Sequence, residues 1–228
     1  MIPAFVNTFN RLTTTRKLCD QIADLGAKPI IIDNASDWQP LLDWYDHCPY
    51  RVVRLTENMG HHAPWRCGIM SEYDDTFYIV TDCDLDLDGI PCDALDVLKE
   101  PFGWGLGIVK SGFSLRIDDL PEWQSAVKQW ESRWWRKPIM GRWYDALIDT
   151  TAAMYQRTTP QHIATKVVGV RSVRSAPPYT ARHAPWYLDG DALDRENQHY
   201  YQTANASNSW KPIGRGLTAP YAMPSCRP

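Results

Sequence analysis

Phe77-Tyr78-Ile79-Val80-Thr81-Asp82-Cys83-Asp84 is the stretch on which the reading of this chain turns. A short run of aromatic and β-branched residues predicts a buried strand. Side chains two apart leave a strand on the same face, so Asp82 and Asp84 stand side by side at its end. Such a pair favours a cation. A hard divalent ion such as Mg²⁺ or Mn²⁺ is held by one or two carboxylates, with phosphate oxygens and water completing the shell. Asp82 and Asp84 therefore read as half of a metal and diphosphate site. The competing reading is an acidic turn, because Asp86 and Asp88 follow and run into Gly89-Ile90-Pro91, and Asp is common in turns.

Upstream, strand-like and helix-like segments alternate. Ile2 to Val6 is a short apolar strand, after which Leu18, Ile22 and Leu25 recur at helical spacing behind a threonine-rich start, with Gly26 as the stop. Pro29 to Ile32 predicts a second strand. Ser36 or Asp37 can cap a helix carrying Trp38, Leu41, Leu42 and Tyr45, and Arg51 to Leu55 predicts a third strand. A turn at Asn58-Met59-Gly60 leads to a helix from about Pro64 to Tyr73. Repeated βα units of this length predict an α/β fold with a parallel sheet covered by helices on both faces. The polar segments Asn7 to Arg11, Asp33 to Ser36, Thr56 to Gly60 and Asp82 to Asp84 then follow the carboxyl ends of strands, where open α/β sheets bind ligands. Asp33 and Asp82 each terminate an apolar run, and a carboxylate there costs free energy unless something binds it.

Composition narrows the field. With 228 residues, 44% of them hydrophobic, the chain can bury the core of a single domain. A formal net charge of −3 and the lack of a basic block argue against a nucleic-acid partner. The densest basic patch, Arg171, Arg174 and Arg182, falls in a segment that reads as a loop. No charged leader and no long apolar stretch are present, so the expectation is a cytoplasmic protein with neither signal peptide nor transmembrane span. Cys19, Cys48, Cys67, Cys83, Cys92 and Cys226 show no paired metal spacing and read as reduced.

Four ordered motifs carry a family resemblance: Val6-Asn7-Thr8-Phe9-Asn10-Arg11, Ile30-Ile31-Ile32-Asp33-Asn34-Ala35-Ser36, Glu57-Asn58-Met59-Gly60 with Arg66 and Gly68, and Thr81-Asp82-Cys83-Asp84. Residues 1–92 thereby resemble the nucleotide-sugar-binding half of GT-A glycosyltransferases, in particular the inverting, family-two-like members. The resemblance implies a Rossmann-like, mixed and mainly parallel sheet in one domain, with an acceptor-side half at 93–194 and a C-terminal tail at 195–228. It assigns Thr8, Phe9, Arg11 and Asp33 to the nucleoside, and Asp82 and Asp84 to ribose and metal. Asn58, Gly60 and Arg66 fall to the donor side. Later segments, Ile148-Asp149-Thr150-Thr151 and Tyr179-Thr180-Ala181-Arg182-His183-Ala184-Pro185-Trp186-Tyr187, resemble small bacterial and viral members. A late histidine that completes the metal shell in many such enzymes maps to His183. His61 and His62 are weaker candidates, facing the diphosphate.

The implied activity is metal-dependent transfer of a monosaccharide from a nucleotide diphosphate sugar, UDP-linked by preference, to a glycan or lipid-linked acceptor. Inversion needs a base for the acceptor hydroxyl, and Mn²⁺ or Mg²⁺ to neutralise charge on the leaving diphosphate. The acids available are Asp145 and Asp149. Asp149 is preferred, since partial burial between Ala146-Leu147-Ile148 and two threonines should raise its pKa, although capping or backbone hydrogen bonding is the competing role. A sugar-phosphate nucleotidyltransferase would need a glycine-rich first loop, and Asn7 to Arg11 contains no glycine. A GT-A domain that only binds a sugar nucleotide or glycan is the non-catalytic alternative.

Trp123, Val127, Trp130 and Trp134 lie on one face of a helix expected from about Pro121 to Arg136, either as core or as an oligomer or peripheral membrane contact. Trp104, Trp143 and Trp186 sit near glycines or prolines, where a ring could stack on a pyranose or cover the core. Phe102 to Ile117 predicts one or two strands. The segment from Arg195 onwards, with Asn205-Ala206-Ser207-Asn208-Ser209, reads as a polar, partly mobile tail.

Overall fold

The computed structural model describes residues 1–204 and 210–218. Strand β1 (Pro3–Thr8) is buried on both faces, with Ala4, Phe5 and Val6 fully inaccessible. Helix α1 (Leu12–Asp24) lays Leu18, Cys19 and Ile22 into the cluster that holds Ala4 and Val6. Each buried aliphatic chain of this kind contributes about 1.5–3 kcal/mol. β2 (Lys28–Asp33), α2 (Gln39–Tyr45) and β3 (Arg51–Arg54) follow, and β2 runs parallel to β1 with Thr8 opposite Asp33. β4 (Phe77–Asp82) returns to the other side of β1, again parallel, with Asn7 opposite Asp82. The strand order therefore switches direction at β1, and the crevice at its carboxyl end lies where such sheets bind ligands.

The helix expected over 64–73 is broken instead. A 3₁₀ turn at Gly60–His62, α3 (Ala63–Arg66) and a second 3₁₀ turn at Ile69–Glu72 take its place. Gly68, at φ 82°, holds the left-handed conformation that ends an α-helix.

The second half consists of β5 (Leu85–Asp86), α4 (Ala94–Lys99), β6 (Ile108–Leu115), α5 (Ser125–Glu131), β7 (Pro138–Ile139), β8 (Trp143–Asp145), β9 (Ala153–Gln156), α6 (Gln161–Ala164) and β10 (Arg171–His183). The sheet order is β3-β2-β1-β4-β9-β6-β10-β8-β7, with β5 paired to β10. β9 is antiparallel to both β4 and β6, and β10 is parallel to β6, so the end of β10 returns to the same carboxyl edge as β4. The sheet is parallel over its first four strands and mixed beyond them.

Three expectations need correction. Arg171, Arg174 and Arg182 lie on β10 rather than in a loop. Pro177 and Pro178 interrupt its pairing with β6, which jumps from Ser175 to Thr180, and this hides the strand in the sequence. The Trp-rich helix is only α5 flanked by 3₁₀ turns at Glu122–Gln124 and Ser132–Trp135, and it turns Gln124, Val127 and Glu131 inward, not the tryptophans. Polar anchors decide that face: Gln124 bonds Leu217 N and Leu188 O, and Glu131 pairs with Arg174. Third, the tail begins with an ordered helix, α7 (Arg195–Thr203), whose N-cap Asp194 accepts from Asn197 N at 2.8 Å. A hairpin of β11 (Lys211–Ile213) and β12 (Gly216–Thr218) ends the described part. Asn205 to Ser209 and Cys226 lie outside the described residues, and the other five cysteines are free. No helix among the described residues is long and apolar enough to cross a membrane.

Candidate active site at the carboxyl edge

Asp82 ends β4 and Asp84 follows in the turn to β5, which pairs with the end of β10 so that Leu85 lies opposite His183. This pairing brings His183 Nε2 to 3.5 Å from Asp84 Oδ1, while Arg11 Nε stands 3.9 Å from Asp84 Oδ2. All three side chains are largely buried. Asp84 Oδ1, Arg11 Nε and His183 Nδ1 find no hydrogen-bond partner among the described residues. Burial, then the nearby carboxylates of Asp84 and Asp149, push Asp82 well above the usual carboxylate range, against a hydrogen bond from Thr150 Oγ1 at 3.0 Å. Burial likewise holds His183 below the usual imidazole range, favouring the neutral ring that can ligate a metal. Among the described residues, no three His, Cys, Asp or Glu side chains gather closely enough to hold a metal ion by themselves. Crowded carboxylates with an orphaned oxygen nevertheless fit a hard cation that takes its other ligands from phosphate and water.

Asp149 is exposed to the crevice, and its chemistry differs from the expectation. Burial by the surrounding protein would raise its pKa. However, Thr151 Oγ1, the Arg174 charge and the amides of Thr150 and Thr151 outweigh burial and hold it below the ordinary range. The competing hydrogen-bonding role is thus the one the geometry supports for its charge state. Its segment is gripped from behind. Ser172 Oγ donates to Ala146 O at 2.8 Å, Arg174 Nε to Leu147 O at 2.7 Å, and Lys110 Nζ to Ile148 O and Asp149 O at 2.9 and 3.0 Å. Four consecutive carbonyls are therefore fixed by buried side chains of β6 and β10, and Thr150 is presented to Asp82. Asp145 lies exposed on β8, opposite Val173 of β10.

The donor-side residues are knit into their loops. Thr8 is fully buried, its hydroxyl 3.5 Å from both Val6 O and Thr15 Oγ1, so it faces the packing of β1 on α1. Asp33, also fully buried, accepts from Ser36 N and Tyr45 OH at 3.3 Å and lies 3.5 Å from Arg54 Nε. Asn34 donates to Gly60 O at 2.9 Å and accepts from Met59 N at 2.7 Å, fastening the turn that Asn58 closes through Gly60 N. Arg66 is exposed and donates to Met59 O at 3.4 Å. The His61 and His62 rings stand 4.0 Å apart, and both are pushed below the usual imidazole range, chiefly by burial.

The contacts that Asn10 and α7 make around Arg11 and Phe9 were missed in the sequence. Asn10, at φ 49°, accepts from the amides of Asp37 and Trp38 and donates to Asp37 and Thr203, so one side chain ties three segments together. Arg11 is wedged under α7: its guanidinium lies 3.7 Å over the Tyr200 ring and donates to Asn197 at 2.9 Å. Phe9 meets Tyr200 edge-on at 6.4 Å. The one available signal was Lys110, a lysine inside the apolar run of β6. Of the proposed sugar platforms, Trp143 and Trp186 are buried core residues, and Trp104 packs edge-on against Trp143 at 5.7 Å. Further along the same edge, a groove of about 490 Å³ opens between Asp88, Arg116, Asp118, Trp135 and the Pro177-Pro178 pair.

No protein-family model and no curated protein sequence matches the chain. Solved structures do match. TarS of S. aureus superposes with a TM-score of 0.50 at 9% identity, over 88% of this chain and 38% of its own. GalNAc-T7, crystallised with UDP, GalNAc and Mn²⁺, superposes with a TM-score of 0.52 at 11% identity, over 80% of this chain and 43% of its own. The fold is GT-A. At such identities the likeness is one of fold, and the GT-A domain spans about two-fifths of the length of either chain.

Proposed function

We propose that this GT-A domain is a glycosyltransferase that moves a monosaccharide from a nucleotide diphosphate sugar, a UDP-sugar by preference, to a glycan or lipid-linked acceptor with inversion. The observation that carries the reading is the meeting of Asp84, His183 and Arg11 beside Asp82 at the carboxyl edge, with Asp84 Oδ1 buried and accepting no hydrogen bond. Asp82, Asp84 and His183 are the residues that would hold Mn²⁺ or Mg²⁺; when bound, such an ion neutralises charge on the leaving diphosphate. The UDP and Mn²⁺ in the GalNAc-T7 crystals belong to that protein but favour the same class of donor here. In this reading Thr8, Phe9, Arg11, Asp33, Asn58, Gly60 and Arg66 build the donor half over residues 1–92. Residues 93–194 supply the acceptor side, where the groove beside Trp135 lies. We also place the protein in the cytoplasm.

Asp149 remains the proposed base, with Asp145 second. Its depressed pKa keeps it ionised at neutral pH, ready to take the acceptor proton but weakly basic. A fold that only binds a sugar nucleotide is separated by one assay. UDP-sugars incubated with Mn²⁺ and no acceptor should be hydrolysed slowly by the wild type, and Asp149→Asn should lower the rate at least about tenfold. Nucleotide binding with no hydrolysis or transfer would identify a binding module instead.

A further inference from the structure

We propose that residues 123–142 dock the protein on an anionic membrane surface. The chain carries a formal net charge of −3, yet this segment exposes Lys128, Arg133, Arg136, Lys137 and Arg142. Its single acid, Glu131, is buried and paired with Arg174, so it offsets none of the outward charge. Glu122 and Asp145 are the exposed acids next to it in sequence, and exposed Asp88 and Asp118 line the groove beside Trp135.

Aromatic side chains lie among these cations. Trp123 is 37% exposed, and Trp130, Trp134 and Trp135 are half-buried. The Arg133 guanidinium sits 4.0 Å over the Trp130 ring, and Arg215 sits 4.0 Å over Trp123. The indoles of Trp130 and Trp134, half in and half out of the protein beside arginines and lysines, suit a lipid headgroup layer, where an apolar body and a polar edge are both accommodated, whereas Trp135 Nε1 is buried. The β7–β8 hairpin extends the face. Its turn exposes Met140 by 59%, flanked in sequence by Lys137 and Arg142. Trp135 packs against Tyr144 of β8 with ring centroids 5.4 Å apart, which joins hairpin and helix into one surface.

Little apolar area is exposed, so attraction to anionic lipid dominates, at roughly fivefold in affinity per basic side chain near the surface. The binding is peripheral and independent of whether the crevice is catalytic.

The test is co-sedimentation of the full chain with vesicles of phosphatidylcholine alone and of phosphatidylcholine with phosphatidylglycerol, in low and high salt. Binding is expected to the anionic vesicles only and to weaken with salt. Arg133→Glu/Lys137→Glu should lose at least about tenfold in affinity with an unchanged thermal midpoint, and Lys128→Glu/Arg136→Glu is an independent second variant with the same expected loss. Arg16→Glu, exposed on α1, should bind like the wild type. Failure to bind anionic vesicles, equal binding to both vesicle types, or binding untouched by both double reversals overturns the proposal. Capture by heparin without vesicle binding also overturns it and assigns the face to a soluble polyanion.

Discussion

Lys110 is fully buried in β6, and its ammonium is satisfied by the carbonyls of Ile148 and Asp149. Burial depresses its pKa from 10.5 to about 8, with Asp149 opposing the shift. A base depressed on folding gives up its proton earlier in the folded chain than in the unfolded one. Between about pH 8 and 10.5 the unfolded chain therefore binds more protons, and this site makes stability rise with pH; below about pH 8 its penalty is present in full. Lys110→Met should remove that slope. It should also cost about 2–4 kcal/mol at neutral pH by leaving two buried carbonyls unpartnered. Denaturant unfolding of both proteins across this range checks each part. At this scale the sequence disclosed the Asp82 and Asp84 pair, because an apolar run ending in acid is a local pattern. Of the grip on Asp149 only the lysine in an apolar run was visible: Lys110 meets carbonyls 38 and 39 positions away, and carbonyls carry no residue identity.

At the scale of elements, β1 to β4 and the helices α1 and α2 were readable because each carries an apolar run or an apolar repeat of its own period, although β3 is only half-buried. β10 escaped notice through its two prolines and skipped register. α7 escaped because it is held by polar and cation–π contacts rather than by an apolar stripe. Glu196 accepts from Thr13 N at 3.2 Å at the first turn of α1, and Asn197, Tyr200 and Tyr201 surround Arg11, all across more than half the chain. Glu196→Ala should lower stability by about 1–2 kcal/mol through the lost cap, seen as a fall in the thermal midpoint. Because α7 fixes Arg11 beside Asp84, the same variant should also weaken nucleotide binding. Calorimetric titration with UDP and Mn²⁺ checks that coupling, and an unchanged affinity would separate α7 from the site.

Across the whole molecule, a parallel half and a mixed half meet along β4, β9 and β6, and their carboxyl edge gathers Arg11, Asp82, Asp84, Asp149 and His183. We propose that this edge holds a nucleotide diphosphate through a divalent cation. A ligand at about 100 times its dissociation constant stabilises a protein by about 2.7 kcal/mol, several degrees for a domain of this size. The most direct test is the thermal midpoint of wild type and Asp84→Ala with UDP, GDP and CMP, each with and without Mn²⁺. The expected result is a rise of several degrees with UDP that requires Mn²⁺ and is lost in Asp84→Ala. A midpoint unmoved by every nucleotide, or a shift that survives Asp84→Ala without metal, would contradict it.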